Sequence, residues 1–419
     1  MTLTIAGLKA VEVLDSRGRP TVAVTLRLAD GRTVRAGVPS GASTGSREAV
    51  ELRDGDPHRY SGQGVLKAVA NLNGEIQDLL TGRHFTDLAA VDRAMIEADG
   101  TNTKARLGAN AVVGVSMAAA RAFALLADLP LWRFLTPAGA TPRLPVPHFN
   151  VVNGGMHAPN RLDFQEFMIA PLGAPSLAEA VRAGAEVYAA LRRRLSDKGF
   201  ATGLGDEGGF APEIDTPEDV LSLLVDAVSD AGYRIGQDGI AIALDPAASE
   251  FYREGHYHVA AEKLTSDDMI SRYEAMVDRY PVWSIEDGLA EGDWDGWIRL
   301  TERLGPRTQL VGDDLLVTNP GIVAEAIGRR AANAALIKVN QIGTVTETLE
   351  AMRLCREAGW AQMVSHRSGE TEDTFIADLA VATGCGQLKT GAPARGERVA
   401  KYNRLIEIEA AGSRPYGLP

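Results

Sequence analysis

Lysine is scarce in this chain: of 43 basic residues only 8 are lysine and 35 are arginine. Arginine is therefore the default cation. Each lysine invites a chemical reason, because a desolvated lysine can shed its proton and an arginine cannot. Cysteine is nearly absent as well. Cys355 and Cys385 make neither a disulfide framework nor a zinc-type ligand spacing, which predicts two buried thiols in a reducing compartment. Positive charge is in deficit, with a formal net charge of -12 and a pI near 5.2. That argues against nucleic acid or an anionic membrane as a partner, since a basic patch is the usual footprint. No stretch supplies the ~18 uncharged apolar residues of a spanning helix. The opening "MTLTIAGLKAVEVLDSRGRP" lacks the charged, apolar, cleavable pattern of a secretion signal, so the expected location is cytoplasmic. At 45% hydrophobic and 23% charged residues the composition is that of a globular protein. A length of 419 residues suggests two domains, one large enough to be an α/β barrel.

What is present falls into two grammars. "AVEVLDSRGRPTVAVTLRLADGRTVRAGV" alternates as strands do, with turns at Arg17-Gly18 and Asp30-Gly31, and helical patterns follow in "GVLKAVANLNGEIQDLL" and "GANAVVGVSMAAARAFALLA". Strands followed by segregated helices predict a smaller α+β N-terminal domain over residues 1–130, with "LTPAGATPRLPVP" as linker. From residue 145 to 419 short apolar runs alternate with amphipathic helices, as buried parallel strands do. The runs "IAIALD", "VWSIED", "TQLVGDD", "AALIKVN", "AQMVSHRS" and "GQLKT" each end in a polar residue: Asp245, Glu286, Asp313, Lys338, His366 and Lys389. Functional groups on that many successive strand ends indicate a parallel (β/α)8 barrel, whose chemistry sits at the carboxyl ends. An open doubly wound sheet also gives the alternation, but its ligands gather at one switch point.

Three of those strand ends are carboxylates. Asp245, Glu286 and Asp313 read singly as solvated strand ends or caps; converging, they repel unless a cation neutralises them, and an all-oxygen set suits Mg²⁺ rather than zinc. Lys338 reads either as a lysine whose stem packs and whose ammonium reaches water, or as a base. "GLGDEGGFAP" sets Glu207 among glycines, which is either a plain turn or a close approach of backbone and carboxyl to a ligand. "FNVVNGGMHAPNRLDFQEFMIAP" repeats the design with His157 and Glu166. His366, Arg367 and Ser368 offer donors suited to phosphate. "VPSGASTGSRE" lacks the Gly-Lys-Ser/Thr ending of a phosphate loop and reads as a mobile lid bringing Ser40 to a metal. "GHYHV" and "SGQGVLKA" are decoys, the first a hairpin edge, the second a failed dinucleotide fingerprint.

The segments "DSRGRPTV", "VPSGASTG", "NGGMHA", "QEFMIAP", "GDEGGFAP", "SIEDGLAEGDW", "LVGDDLLVTN", "IKVNQIGT", "VSHRSGETEDTFIADL" and "QLKTGAPARGERVAKYN" resemble the enolase family in order and over essentially the whole chain. The resemblance implies an irregular barrel behind an N-terminal capping domain, and Mg²⁺-dependent dehydration of 2-phospho-D-glycerate to phosphoenolpyruvate. It also implies the roles. Lys338 would take the α-proton, while Glu207, helped by Glu166, would protonate the departing hydroxyl. Asp245, Glu286 and Asp313 would hold one Mg²⁺ and Ser40 would join a second. His157, His366, Arg367, Ser368 and Lys389 would hold the substrate, and the assembly would be a homodimer or larger. Met156, Pro159 and Gly396 depart from the family pattern and bear on loop closure at the phosphate end. The resemblance extends to paralogues that make carboxyphosphonoenolpyruvate in phosphonate antibiotic pathways, and to enolase-like chains serving as non-catalytic scaffolds or surface receptors.

Overall fold

The alternation near the start becomes an antiparallel sheet. In a computed structural model describing residues 2–42 and 44–419, β1 (Leu3–Leu14), β2 (Pro20–Leu28), β3 (Thr33–Gly37) and β4 (His84–Phe85) lie in the order β3-β2-β1-β4. Asp15 closes the first turn: its Oδ1 accepts the backbone N–H of Arg17 (2.8 Å) and of Arg19 (2.9 Å), and Gly18 takes a φ of 69° that costs glycine little. The predicted helix after residue 64 differs in one detail. Leu66–Asn71 passes through a π turn, Leu72–Ile76, into Gln77–Leu80. In that turn Asn73 accepts from Ala10 N (2.7 Å) and donates to Ala10 O (3.0 Å), satisfying the β1 edge that β4 covers only at Leu3 and Thr4.

Against β2 and β3 packs the helix Ala109–Leu126. Among the described residues this helix is apolar enough by length and composition to cross a membrane, although it carries a charge and 83% of it is buried in the protein. An all-round apolar helix is what a core position demands. Its single charge, Arg121, is spent on Asp373 across the domain boundary (2.6 and 2.8 Å).

The later runs close into a ring. β5 (Val146–Asn153), β6 (Glu166–Ala170) and β7 (Ala241–Asp245) are followed by a small antiparallel sheet of β8 (Tyr252–Arg253), β9 (His256–Val259) and β10 (Glu262–Leu264), where "GHYHV" lies. Then come β11 (Val282–Glu286), β12 (Gln309–Gly312), β13 (Ala334–Ile337), β14 (Ala361–Ser365) and β15 (Gln387–Lys389). The closed order is β11-β12-β13-β14-β15-β5-β6-β7, and only β6 runs antiparallel to its neighbours. Residues 154–165 connect β5 to β6 without a crossover helix, so β6 must reverse. Two helices, Leu177–Asp197 and Pro217–Asp230, then follow together. The reversal has a consequence for function, because it places the first residue of β6, Glu166, at the end where the other strands finish.

The barrel is polar inside at both ends. At the far end, Gln309 and Gln387 exchange amide hydrogen bonds (2.9 and 2.8 Å) and Gln309 also donates to Ser284 Oγ (2.9 Å). Cys355 and Cys385 are both free and buried, and burial pushes the Cys355 thiol up to about 12.

Candidate active site

Each strand delivers its polar residue to one mouth. Asp245, Glu286 and Lys389 are the last residues of β7, β11 and β15; Asp313, Lys338 and His366 come immediately after β12, β13 and β14. One small cavity is lined by His157, Glu166, Glu207, Lys338, His366, Arg367, Ser368 and Lys389 together with Gln165 and Ser365. A far larger groove, about 760 Å³ beside Leu14, Arg35 and Glu372, holds none of these groups. Size does not mark the site here; converging chemistry does.

Lys338 turns inward. Its ammonium pairs with Asp313 Oδ2, and its backbone N–H is received by Thr318 Oγ1 (2.9 Å). Gln341, one turn on, donates from the same amide nitrogen to Asp313 Oδ1 (2.8 Å) and Glu48 Oε1 (3.2 Å) while accepting from Thr318 (2.8 Å). Val317 and Thr318 carry φ values of 44° and 52°, a conformation that costs β-branched residues energy and concentrates at functional sites. Asp287 fixes the Asp313 backbone from below, accepting from the N–H groups of Asp313 (2.9 Å) and Asp314 (2.8 Å). Burial works most strongly against the Lys338 charge, but the neighbouring carboxylates, Asp313 first and Glu286 with it, hold the pKa above the ordinary lysine value. An amine ready to deprotonate is what the sequence predicts. The difference is that the Asp313 carboxylate is pledged to the ammonium.

Three carboxylates share one ammonium at the centre. Lys389 Nζ lies 2.7 Å from Glu286, 3.2 Å from Glu166 and 3.5 Å from Asp245. Burial followed by Asp245 pushes Glu286 well above the carboxylate range, and burial followed by Glu207 does the same to Glu166. Glu286 Oε2 is buried without a hydrogen-bond partner. Asp314 and Asp287 are likewise raised, burial first and then the neighbouring acids. Hard oxygens in excess of local positive charge fit a hard cation such as Mg²⁺. Among the described residues two sets bring three ligand atoms within 4.8 Å of one another: Asp287, Asp313 and Asp314; and His157, Glu166 and Glu207. Neither is the predicted trio, because Lys389 stands between Asp245 and Glu286 while Lys338 holds Asp313.

Across the mouth, Glu207 is wrapped in donors. Asn150 Nδ2 donates to its Oε2 (2.9 Å), and His366 Nε2 lies 3.2 Å from the same oxygen. His157 Nδ1 is 3.7 Å from Glu207 and 3.6 Å from Glu166. Burial would raise the Glu207 pKa, yet His366, His157 and Arg398 hold it well below the carboxylate range. The two acids are thus split, Glu166 raised and Glu207 lowered. His366 is kept neutral, burial driving its pKa down to about 3.

The remaining predicted residues are held by the N-terminal domain. Arg367 forms a two-pronged pair with Glu48 (2.9 and 3.0 Å), and Ser368 Oγ accepts from Arg17 (3.2 Å). Ser40 is fully buried. Its hydroxyl accepts from Arg53 (2.7 Å) and Arg17 (3.3 Å) and donates to Glu51 (3.1 Å). The Ser40 backbone pairs with Gly369 of the barrel, so the residue sits where the two domains meet. Met156 is exposed, and Gly396 opens the C-terminal helix with open space where a side chain would go. Sequence reasoning missed Arg17, Glu48, Asn150, Asp287, Gln341 and Arg398. The doubled acids in "SIED" and "GDD" and the glutamine one turn past Lys338 were the available signals.

Comparison with known proteins places the whole chain. Residues 5–135 match the family model described as the enolase N-terminal domain, and residues 141–414 match the enolase C-terminal TIM barrel domain. The chain is 57% identical over 407 residues to a protein named enolase from Rubrobacter xylanophilus, covering 97% of this chain and 94% of that one. It is 55% identical over 413 residues to enolase 1 of Methylococcus capsulatus, covering 98% of each.

Proposed function

Because this chain belongs to the enolase family, we infer that it is a phosphopyruvate hydratase, a hydro-lyase converting 2-phospho-D-glycerate to phosphoenolpyruvate in glycolysis and the reverse in gluconeogenesis. The observation that carries the reading is the pairing of opposites across one cavity: a lysine on one side, and two acids with split proton affinities on the other. Relatives this similar over the full length do not favour the phosphonate paralogue or a non-catalytic scaffold.

In this reading Lys338, as the neutral amine, takes the α-proton of the substrate and becomes an ammonium beside Asp313. The electron pair left on carbon is delocalised into the carboxylate as an enediolate. Return of that pair expels the β-hydroxyl, which leaves as water with a proton from the Glu166–Glu207 pair. Lys389 supplies fixed positive charge at the centre, Arg367, His157 and Ser368 orient the phosphorylated end, and neutral His366 donates without titrating. Asp245, Glu286 and Asp313 would hold Mg²⁺, with room in the family scheme for two ions. When bound, the metal lowers the cost of a doubly charged carboxylate and relieves the carboxylate excess at the mouth. Incubation with 2-phosphoglycerate and Mg²⁺ alone should build up enolpyruvate absorbance. Turnover that requires a phosphonate co-substrate would contradict the assignment.

The same reading divides the chain into a cap of residues 1–130 and a catalytic barrel of residues 145–419, assembled as a homodimer or larger in the cytoplasm. Light scattering that finds only a single 44.5 kDa chain at working concentration would remove the oligomer from it.

A further inference from the structure

Arg398 is fully buried, the second largest such side chain described, and lies one layer behind the reacting groups. Its Nη1 donates to His366 Nδ1 (2.6 Å) and to the Arg367 carbonyl (2.7 Å). Its Nη2 donates to the carbonyls of Ser368 (2.6 Å) and Asp206 (3.2 Å) and to Ser16 Oγ (3.3 Å). One guanidinium therefore grips the segment bearing His366, the residue next to Glu207, and the first turn of the N-terminal domain. A guanidinium can only donate. Whatever accepts from it at His366 must be a bare ring nitrogen, which leaves the proton of the neutral ring on the other nitrogen. That other nitrogen, Nε2, is the one that faces Glu207 Oε2 at 3.2 Å.

The geometry points to Arg398 as a positioning residue that fixes His366 in the Nε2–H tautomer, making the histidine a permanent hydrogen-bond donor toward Glu207 and the leaving-group side of the substrate. The inference rests on the hydratase reading for its catalytic meaning but not for its geometry. A donor at Nδ1 also blocks protonation there, so His366 cannot serve as the acid. Asn150 donates to Glu207 Oε2, and His366 Nε2, buried with no hydrogen bond of its own in the resting protein, faces the same oxygen at 3.2 Å. Lysine at 398 cannot reproduce this, since one ammonium cannot span the five acceptors that the planar fork reaches.

The test is ¹⁵N NMR of the resting, histidine-labelled enzyme, with His366→Gln used to assign the signal among 7 histidines. A pyridine-type Nδ1 and a pyrrole-type Nε2 are expected; a pyrrole-type Nδ1, or two pyrrole-type nitrogens, overturns the proposal. This reading is independent of turnover, so it stands apart from any failure of the assigned reaction. In the conservative Arg398→Lys variant, kcat should fall on the order of 10–100-fold with KM changed far less, and the Nδ1 resonance should move. Loss of kcat with an unmoved ring signature would mean a merely structural arginine and would also overturn it.

Discussion

The two ends of the barrel are built from the same strands and are both polar inside, yet they solve the problem of buried polarity in opposite ways. At the floor the groups are neutral: Gln309, Gln387 and Ser284 satisfy one another, and Trp283 Nε1 and Thr308 Oγ1, buried there without a partner among the described residues, are uncharged as well. At the mouth, Glu166, Asp245 and Glu286 crowd one ammonium, and Glu286 keeps a bare buried oxygen. A satisfied neutral network specifies a fold. An unsatisfied charged one is costly, and its persistence points to a partner that arrives from outside. Val317, Thr318 and Asp287 take left-handed conformations beside the mouth.

Removing Mg²⁺ should break the comparison most completely. Chelation is expected to take turnover to background and lower the melting temperature, with both restored by added Mg²⁺, because a ligand that binds only the native state stabilises it. An unchanged melting curve would mean that the mouth is as self-sufficient as the floor.

Asp92 offers a control, a buried acid remote from the mouth. Burial pushes its pKa to about 6, against bonds from Thr346 Oγ1 (2.5 Å) and N (3.1 Å). An acid whose folded pKa is raised stabilises the fold fully below its unfolded pKa and loses that contribution as pH rises through the folded value. Relative to Asp92→Asn, the wild type should therefore lose on the order of 2 kcal/mol of unfolding free energy between pH 4 and pH 8. Parallel denaturation curves at the two pH values would show that burial alone does not make an acid costly here.

Smaller effects should follow at the two ends themselves. Gln387→Leu strands the Gln309 amide and should cost about 1 kcal/mol or more in stability with kcat unchanged. Glu286→Gln keeps an acceptor for Lys389 but removes a carboxylate, so in Mg²⁺-free protein it should raise the melting temperature by roughly 2 °C even as it abolishes activity. A fall in both would place Glu286 with the floor.

Much of this contrast was legible in the sequence, for a reason particular to parallel barrels. In each barrel strand from β7 onward the first titratable residue marks the carboxyl end, and Asp245, Glu286, Asp313, Lys338, His366 and Lys389 stood out on that basis alone. The reversed β6 did not, since nothing in residues 154–165 distinguishes a return from a crossover. Lysine scarcity was a useful but unselective flag. It marked Lys338 and Lys389, yet Lys104 and Lys401 are also buried and tie structure together, through Glu347 (3.0 Å) and Glu370 (3.1 Å). The surroundings of Ser40 were not legible either, since its backbone pairs with Gly369, a contact between residues over three hundred positions apart. Asp287, Gln341 and Arg398 act through what they touch, and those neighbours exist only once the chain has folded.

The assignment of opposite roles across the mouth is tested most directly by α-proton exchange of 2-phosphoglycerate in deuterated water. Lys338→Ala should lose exchange altogether, while Glu207→Gln should keep exchanging but fail to eliminate water. Exchange that survives in Lys338→Ala would contradict the account.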